Sequence, residues 1–123
     1  MRIVLVGPGR AGQSVAIAAN GAGHDVVAVA ARDTDRASEF ARRLDARILA
    51  IGEPIPAADL VLVAVRDHAI ADVAGQVAPV ARNAAASAVH LSGATPVEAL
   101  TPFAAQGIAI GSLHPLQTMP TPD

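Results

Sequence analysis

"RIVLVGPGRAG", residues Arg2 to Gly12, is the stretch on which the fold turns. Ile3 to Val6 is an unbroken apolar run, mostly β-branched, of the kind found in strands covered on both faces within a parallel sheet. Three glycines follow, Gly7, Gly9 and Gly12, and from Arg10 onward the apolar residues change period. Ala11, Val15, Ala18, Ala19 and Ala22 predict a helical stripe that Gly21 and Gly23 terminate. A strand thus runs into a helix across three glycines, each costing conformational entropy that an alanine would not.

The same alternation continues outward. Val26 to Ala31 predicts a second buried strand, and Asp33 or Thr34 caps a helix with Ala37, Phe40, Ala41 and Leu44 on one face. Ile48 to Ile51 is a short third strand, followed by "GEPIPAAD", a proline-punctuated connection with room for little regular helix. Leu60 to Val65 is the fourth strand, and Asp67 stands as N-cap of a helix that turns Ile70, Val73 and Val77 inward. Ser87 to Leu91 is the fifth. Thr95-Pro96-Val97-Glu98 has capping-box spacing with proline at the first helical position, opening a helix that ends at Gly107. Ile108 to Gly111 is the sixth strand. Strands and helices in this alternation predict right-handed crossovers and a doubly wound parallel sheet, a three-layer α/β/α arrangement.

Composition narrows the function classes. At 123 residues the chain is expected to be one domain, and with 52% hydrophobic but 2% aromatic residues its core must be built from Ala, Val, Leu and Ile. A net charge of -2 without a basic block argues against nucleic acid or an anionic membrane surface as partner. The absence of cysteine removes disulfides and thiolate chemistry. No apolar run reaches the roughly 20 residues of a membrane helix, so a cytoplasmic protein is expected. No two histidines or carboxylates share the spacing of a metal site.

Glycines at a strand-to-helix junction give the G-x-G-x-x-G pattern its dinucleotide-binding context. Gly7 permits the tight turn, Gly9 lets the backbone approach a pyrophosphate, and Gly12 lets helix and strand pack closely. Pro8, Arg10 and Ala11 complete the loop, and the helix mouth attracts the phosphates without a lysine. At the end of strand two, "AVAARDTDR" places Ala31 and Arg32 at the adenosine ribose. The guanidinium favours a 2′-phosphate, with the Thr34 hydroxyl as a further donor. NADP is therefore expected, and NAD is the alternative through Asp33 one residue on. At the other strand ends, Val65 and Arg66 pass the nicotinamide ribose, and Ser92 and Gly93 bring a hydroxyl and an amide toward the nicotinamide. His114, held extended by the following proline, faces substrate. Gly93 can equally serve only the turn; Ser92 and His114 are the catalytic candidates, and for His114 a hydrogen-bonding structural role competes. His24 is read as a turn residue, and His90 as facing a loop from inside strand five.

Taken together, "RIVLVGPGRAG", "GHDVVAVAARD", "ADLVLVAVRDHAI", "VHLSGA" and "SLHPLQTMP" resemble the N-terminal domain of Rossmann-like oxidoreductases of the 6-phosphogluconate dehydrogenase type. Within them the chain is most similar to a group that pairs this Rossmann fold with a C-terminal helical domain of unknown function. The resemblance implies that Gly7, Gly9, Gly12 and Arg32 hold NADP, and that Val65, Arg66, Ser92 and His114 line the nicotinamide side. Arg66 departs from it, since relatives usually carry proline there. The resemblance also implies a helical domain that closes the substrate pocket and makes a homodimer. With the chain stopping at Asp123, residues 1–123 are expected to bind cofactor without turnover. The function expected is the cofactor-binding part of an NADP-dependent oxidoreductase acting on a small carbonyl, imine or acid. A non-enzymatic nucleotide-binding sensor or protein-interaction module is the alternative.

Overall fold

The computed structural model describes residues 1–113. Its core strand is β1 (Arg2–Val6), in which Ile3, Val4, Leu5 and Val6 are all buried. Strand side chains alternate between faces, so a run buried throughout needs cover on both sides. Ile3 and Leu5 lie in one apolar cluster with residues of α1 (Arg10–Gly21) and α2 (Thr34–Arg43). Val4 and Val6 lie in a second cluster with α3 (Ile70–Ala81) and Phe103 of α4 (Thr101–Ala104). Three layers result, as expected.

The sheet is completed by β2 (Asp25–Ala31), β3 (Arg47–Ala50), β4 (Ala58–Val63), β5 (Ala85–His90) and β6 (Ala109–Ser112). All neighbours pair in parallel, in the order β3-β2-β1-β4-β5-β6. The chain therefore reverses its direction of winding between β1 and β4, and the crevice beyond their carboxyl ends is where such sheets bind ligands. The connection from β3 to β4 carries no helix, as its prolines predict; Ile55 instead tucks into the α3 face, its amide donating to the Val80 carbonyl at 3.4 Å. No helix among the described residues is long and apolar enough to cross a membrane.

Several elements differ from the sequence expectation. On α1 the buried positions are Gly12 and Ala16 with Val15 and Ala19 half-buried, while Ala11, Ala18 and Ala22 are exposed. The stripe is rotated because the helix lies close to the sheet through Gly12, which no hydrophobicity pattern marks. β2 carries a bulge: Ile3 pairs with Val26 but Val4 with Ala28, leaving Val27 without a partner. An all-apolar strand hides such a shift, which lets Val26 and Ala28 face opposite clusters. β4 stops at Val63, and Val65 leaves the ladder to pass over Gly7. Asp67 does not cap α3: Asp67–Ala69 forms a 3-10 turn that starts after Arg66 and leads into the helix, with no side-chain cap.

The Thr95 capping box also fails to form, because Ser92 takes the Thr95 amide at 2.9 Å and donates its hydroxyl proton to Thr95 Oγ1 at 3.0 Å. A 3-10 turn, Val97–Leu100, precedes the four-residue α4. The expected stop at Gly107 is present: its φ of 78° is left-handed, and the Ile108 amide reaches back to the Phe103 carbonyl at 3.1 Å.

Candidate functional site

A cleft of about 780 Å³ opens at the carboxyl edge of the sheet, between the ends of β1 and β4. Its floor is the glycine loop, with Gly7, Pro8 and Gly9; Ala31, Arg32, Asp33 and Arg36 form one wall, and Ala64, Val65, Arg66, His68 and Asp72 the other.

The three glycines have separable causes. Gly7 has φ 85°, and its amide donates to the Ala30 carbonyl at 2.8 Å. A Cβ there would lie 2.5 Å from Val65 Cγ1 and 3.0 Å from the Val65 backbone nitrogen. A Cβ on Gly12 would lie 2.7 Å from Ala64 Cβ and 2.9 Å from the Gly7 carbonyl oxygen. Packing inside the protein demands both. Gly9 is different: its φ is an ordinary -74°, and the nearest atom to a Cβ would be the Ala64 carbonyl oxygen at 3.8 Å. Nothing among the described residues requires glycine at this position, so the space a side chain would fill is left open toward the cleft.

Gly9 is also the N-cap of α1 and brings no side chain to cap it. The first bond of the helix runs from the Gln13 amide to the Gly9 carbonyl at 2.8 Å, so the amides of Arg10, Ala11 and Gly12 precede it and find no acceptor among the described residues. They are bare donors at the positive end of a 12-residue helix. The loop is held by Gln13, whose Nε2 donates to the Pro8 carbonyl at 2.8 Å. Gln13 was not marked by the sequence, since one glutamine in a first helical turn carries no pattern.

At the tip of β2 the two candidate ribose residues part company. Asp33 is the N-cap of α2, its Oδ1 accepting the Arg36 amide at 3.1 Å. Arg32, which lines the cleft as Asp33 does, reaches Asp72 of α3, Nη2 to Oδ2 at 3.5 Å. Gln76 donates to the same Asp72 oxygen at 3.3 Å. Arg36 joins Arg32 on the wall, one helical turn into α2, a position that a capping argument centred on Asp33 overlooks. Thr34 opens α2, and its carbonyl accepts the Ser38 hydroxyl at 2.6 Å.

The β5 side is built differently from expectation. His90 is fully buried; its Nδ1 accepts the Ser92 amide at 3.1 Å, and its Nε2 lies 3.3 Å from the Pro96 carbonyl. A carbonyl can only accept, so the ring is the Nε2-H tautomer and bolts down the loop from Leu91 to Pro96. Ser92 is buried and its Oγ accepts the amides of Ala94 and Thr95 while donating to Thr95 Oγ1. Its hydroxyl is thus committed to its own loop, and neither Ser92 nor Gly93 lines the cleft. His114, the other catalytic candidate, lies outside the described residues. His24 sits in the turn before β2, beside the Met1 amino group at 2.7 Å.

Comparison with known proteins agrees with this architecture. Among solved structures, a Bacteroides fragilis protein provisionally named an NADP oxidoreductase is similar with a TM-score of 0.78 and 28% identity, over 98% of this chain and 44% of its own. A biliverdin reductase from Synechocystis, solved with biliverdin and NADP+, has a TM-score of 0.67 at 19% identity, over 95% of this chain and 39% of its own. A 3-ketoreductase from Actinomadura kijaniata, solved with NADP, has a TM-score of 0.70 at 17% identity, over 96% and 40%. The last two likenesses concern the fold alone, and the chain spans less than half the length of each of the three. No curated protein sequence matches. The family model described as a Rossmann-like domain matches residues 1–115, and the chain belongs to that family.

Proposed function

We propose that this chain is the dinucleotide-binding part of an NADP-dependent oxidoreductase acting on a small carbonyl, imine or acid. The observation that carries the reading is Gly9, a glycine that packing among the described residues does not need, set before three amides at a helix mouth that find no acceptor among those residues. A diphosphate fits that cradle: the amides of Arg10, Ala11 and Gly12 would hold it, and Gly9 would let it approach the backbone. Arg32, with Arg36 beside it, would hold a 2′-phosphate, whereas Asp33 has one of its two carboxylate oxygens taken up in capping α2. That division favours NADP over NAD. Val65 and Arg66 would flank the nicotinamide ribose. Once bound, the nicotinamide supplies two-electron redox chemistry, and the protein's task is to orient it and exclude water.

Calorimetric titration tests the reading. NADPH should bind at least tenfold more tightly than NADH, and Arg32→Ala should weaken NADPH by more than tenfold while changing NADH by less than threefold. No binding of either at millimolar concentration would overturn it. A second reading, a nucleotide-binding module without catalysis, draws on the commitment of Ser92 and His90 to their own loop, which leaves the exposed His68 as the imidazole lining the cleft among the described residues. The first reading takes its acid or base, and its homodimer, from residues outside those described.

A further inference from the structure

Arg32 is not idle in this structure. It stands at the carboxyl end of β2, Asp72 stands in the first turn of α3, and the two line opposite walls of the cleft. Their 3.5 Å contact therefore bridges the cleft at the adenosine side. Asp72 is itself tethered, because Gln76 one turn on donates to the oxygen that Arg32 approaches. The pair is mostly exposed, 62% for the Arg32 side chain and 72% for Asp72, so it is solvated and exchangeable rather than locked.

We infer that Asp72 is a specificity-determining residue which competes with a ribose 2′-phosphate for Arg32 and so holds down the preference for a phosphorylated adenosine. This rests on the dinucleotide reading above. A 2′-hydroxyl is neutral and cannot draw a guanidinium away from a carboxylate. A 2′-phosphate carries close to two negative charges and offers a bidentate acceptor, so it can. Binding such a ligand means that Arg32 exchanges one anionic partner for another, and the carboxylate left behind faces the incoming phosphate. Both effects oppose only the phosphorylated ligand. Arg36 lies on the same wall and makes no ion pair among the described residues, so it supplies the charge that lets a phosphate win the exchange.

The experiment measures four ligands, NADP+, NAD+, 2′,5′-ADP and 5′-AMP, by calorimetry against the wild-type chain, Asp72→Asn, Arg32→Ala and the double variant. Asp72→Asn keeps the shape and the contact with Gln76 and removes the charge. It is expected to tighten NADP+ and 2′,5′-ADP two- to fivefold and to leave NAD+ and 5′-AMP unchanged, and the gain should shrink in the Arg32→Ala background, where only the repulsion between carboxylate and phosphate remains. If the wild type binds the dinucleotides but Asp72→Asn leaves NADP+ unchanged, weakens it, or tightens NAD+ by the same factor, the competition is overturned while the cofactor reading stands. Persistence of the full gain without Arg32 overturns it as well. Failure of the wild type to bind any of the four overturns both.

Discussion

At the scale of single residues, the glycine loop separates what folding requires from what a ligand requires. Gly12→Ala would drive a Cβ to within 2.9 Å of the Gly7 carbonyl oxygen, backbone that cannot yield without shifting β1 against α1. A loss of about 2–4 kcal/mol is expected, of the size overpacking produces. Gly9→Ala meets nothing closer than 3.8 Å and sits at an unstrained φ, so stability should change by less than about 0.5 kcal/mol. Dinucleotide affinity should nevertheless fall at least tenfold. Urea melts and calorimetry on the two variants check this; equal destabilisation by both would mean that Gly9 is structural after all. Asp33 is subject to the same separation. As the N-cap of α2, its replacement by alanine should cost about 1 kcal/mol of stability. NADH affinity should hold steady, and a selective loss of NADH would return Asp33 to the ribose.

At the scale of elements, the informative unit is β5 with the loop that follows it. A polar residue inside a buried strand is costly unless its hydrogen bonds are met, and His90 meets both of its own within six residues. Among the described residues no buried side-chain nitrogen or oxygen lacks a partner. His90→Ala would strand the Ser92 amide and open a cavity, with an expected loss of about 2–4 kcal/mol in a urea melt. His90→Asn, whose carbonyl oxygen can replace Nδ1 as acceptor, should recover part of it. If the two variants are equally unstable, the Ser92 amide is not what the ring supports. The sequence placed His90 correctly within a strand facing a loop, but it read Ser92 as a group aimed outward. Side-chain bonds to a turn's own amides depend on φ and ψ across four residues, and those are set only when the loop folds back on the buried imidazole.

At the scale of the whole molecule, a sheet with one cluster on each face rests on small side chains, and Phe103, fully buried, is the largest of them. Only two phenylalanines exist in the chain, so no comparable side chain can move in to fill its space. Phe103→Ala should cost about 3–5 kcal/mol, measured by urea unfolding; a loss under about 2 kcal/mol would mean that α4 collapses onto the sheet. The parallel sense of the sheet, its doubly wound form and a crevice at the carboxyl ends of its strands were legible in the sequence, because apolar runs, glycines and helix stops are local signals and right-handed crossovers leave few ways to join them; the order β3-β2-β1-β4-β5-β6 came from the structure. The rotated stripe of α1, the bulge in β2 and the ion pair from Arg32 to Asp72 were not legible there. Local propensity determined which elements form and in what order along the chain. Only the tertiary structure decided how tightly packing holds Gly7 and Gly12 while leaving Gly9 open, since that depends on how closely Ala64 and Val65, just beyond the end of β4 and more than fifty residues on in the chain, approach the loop.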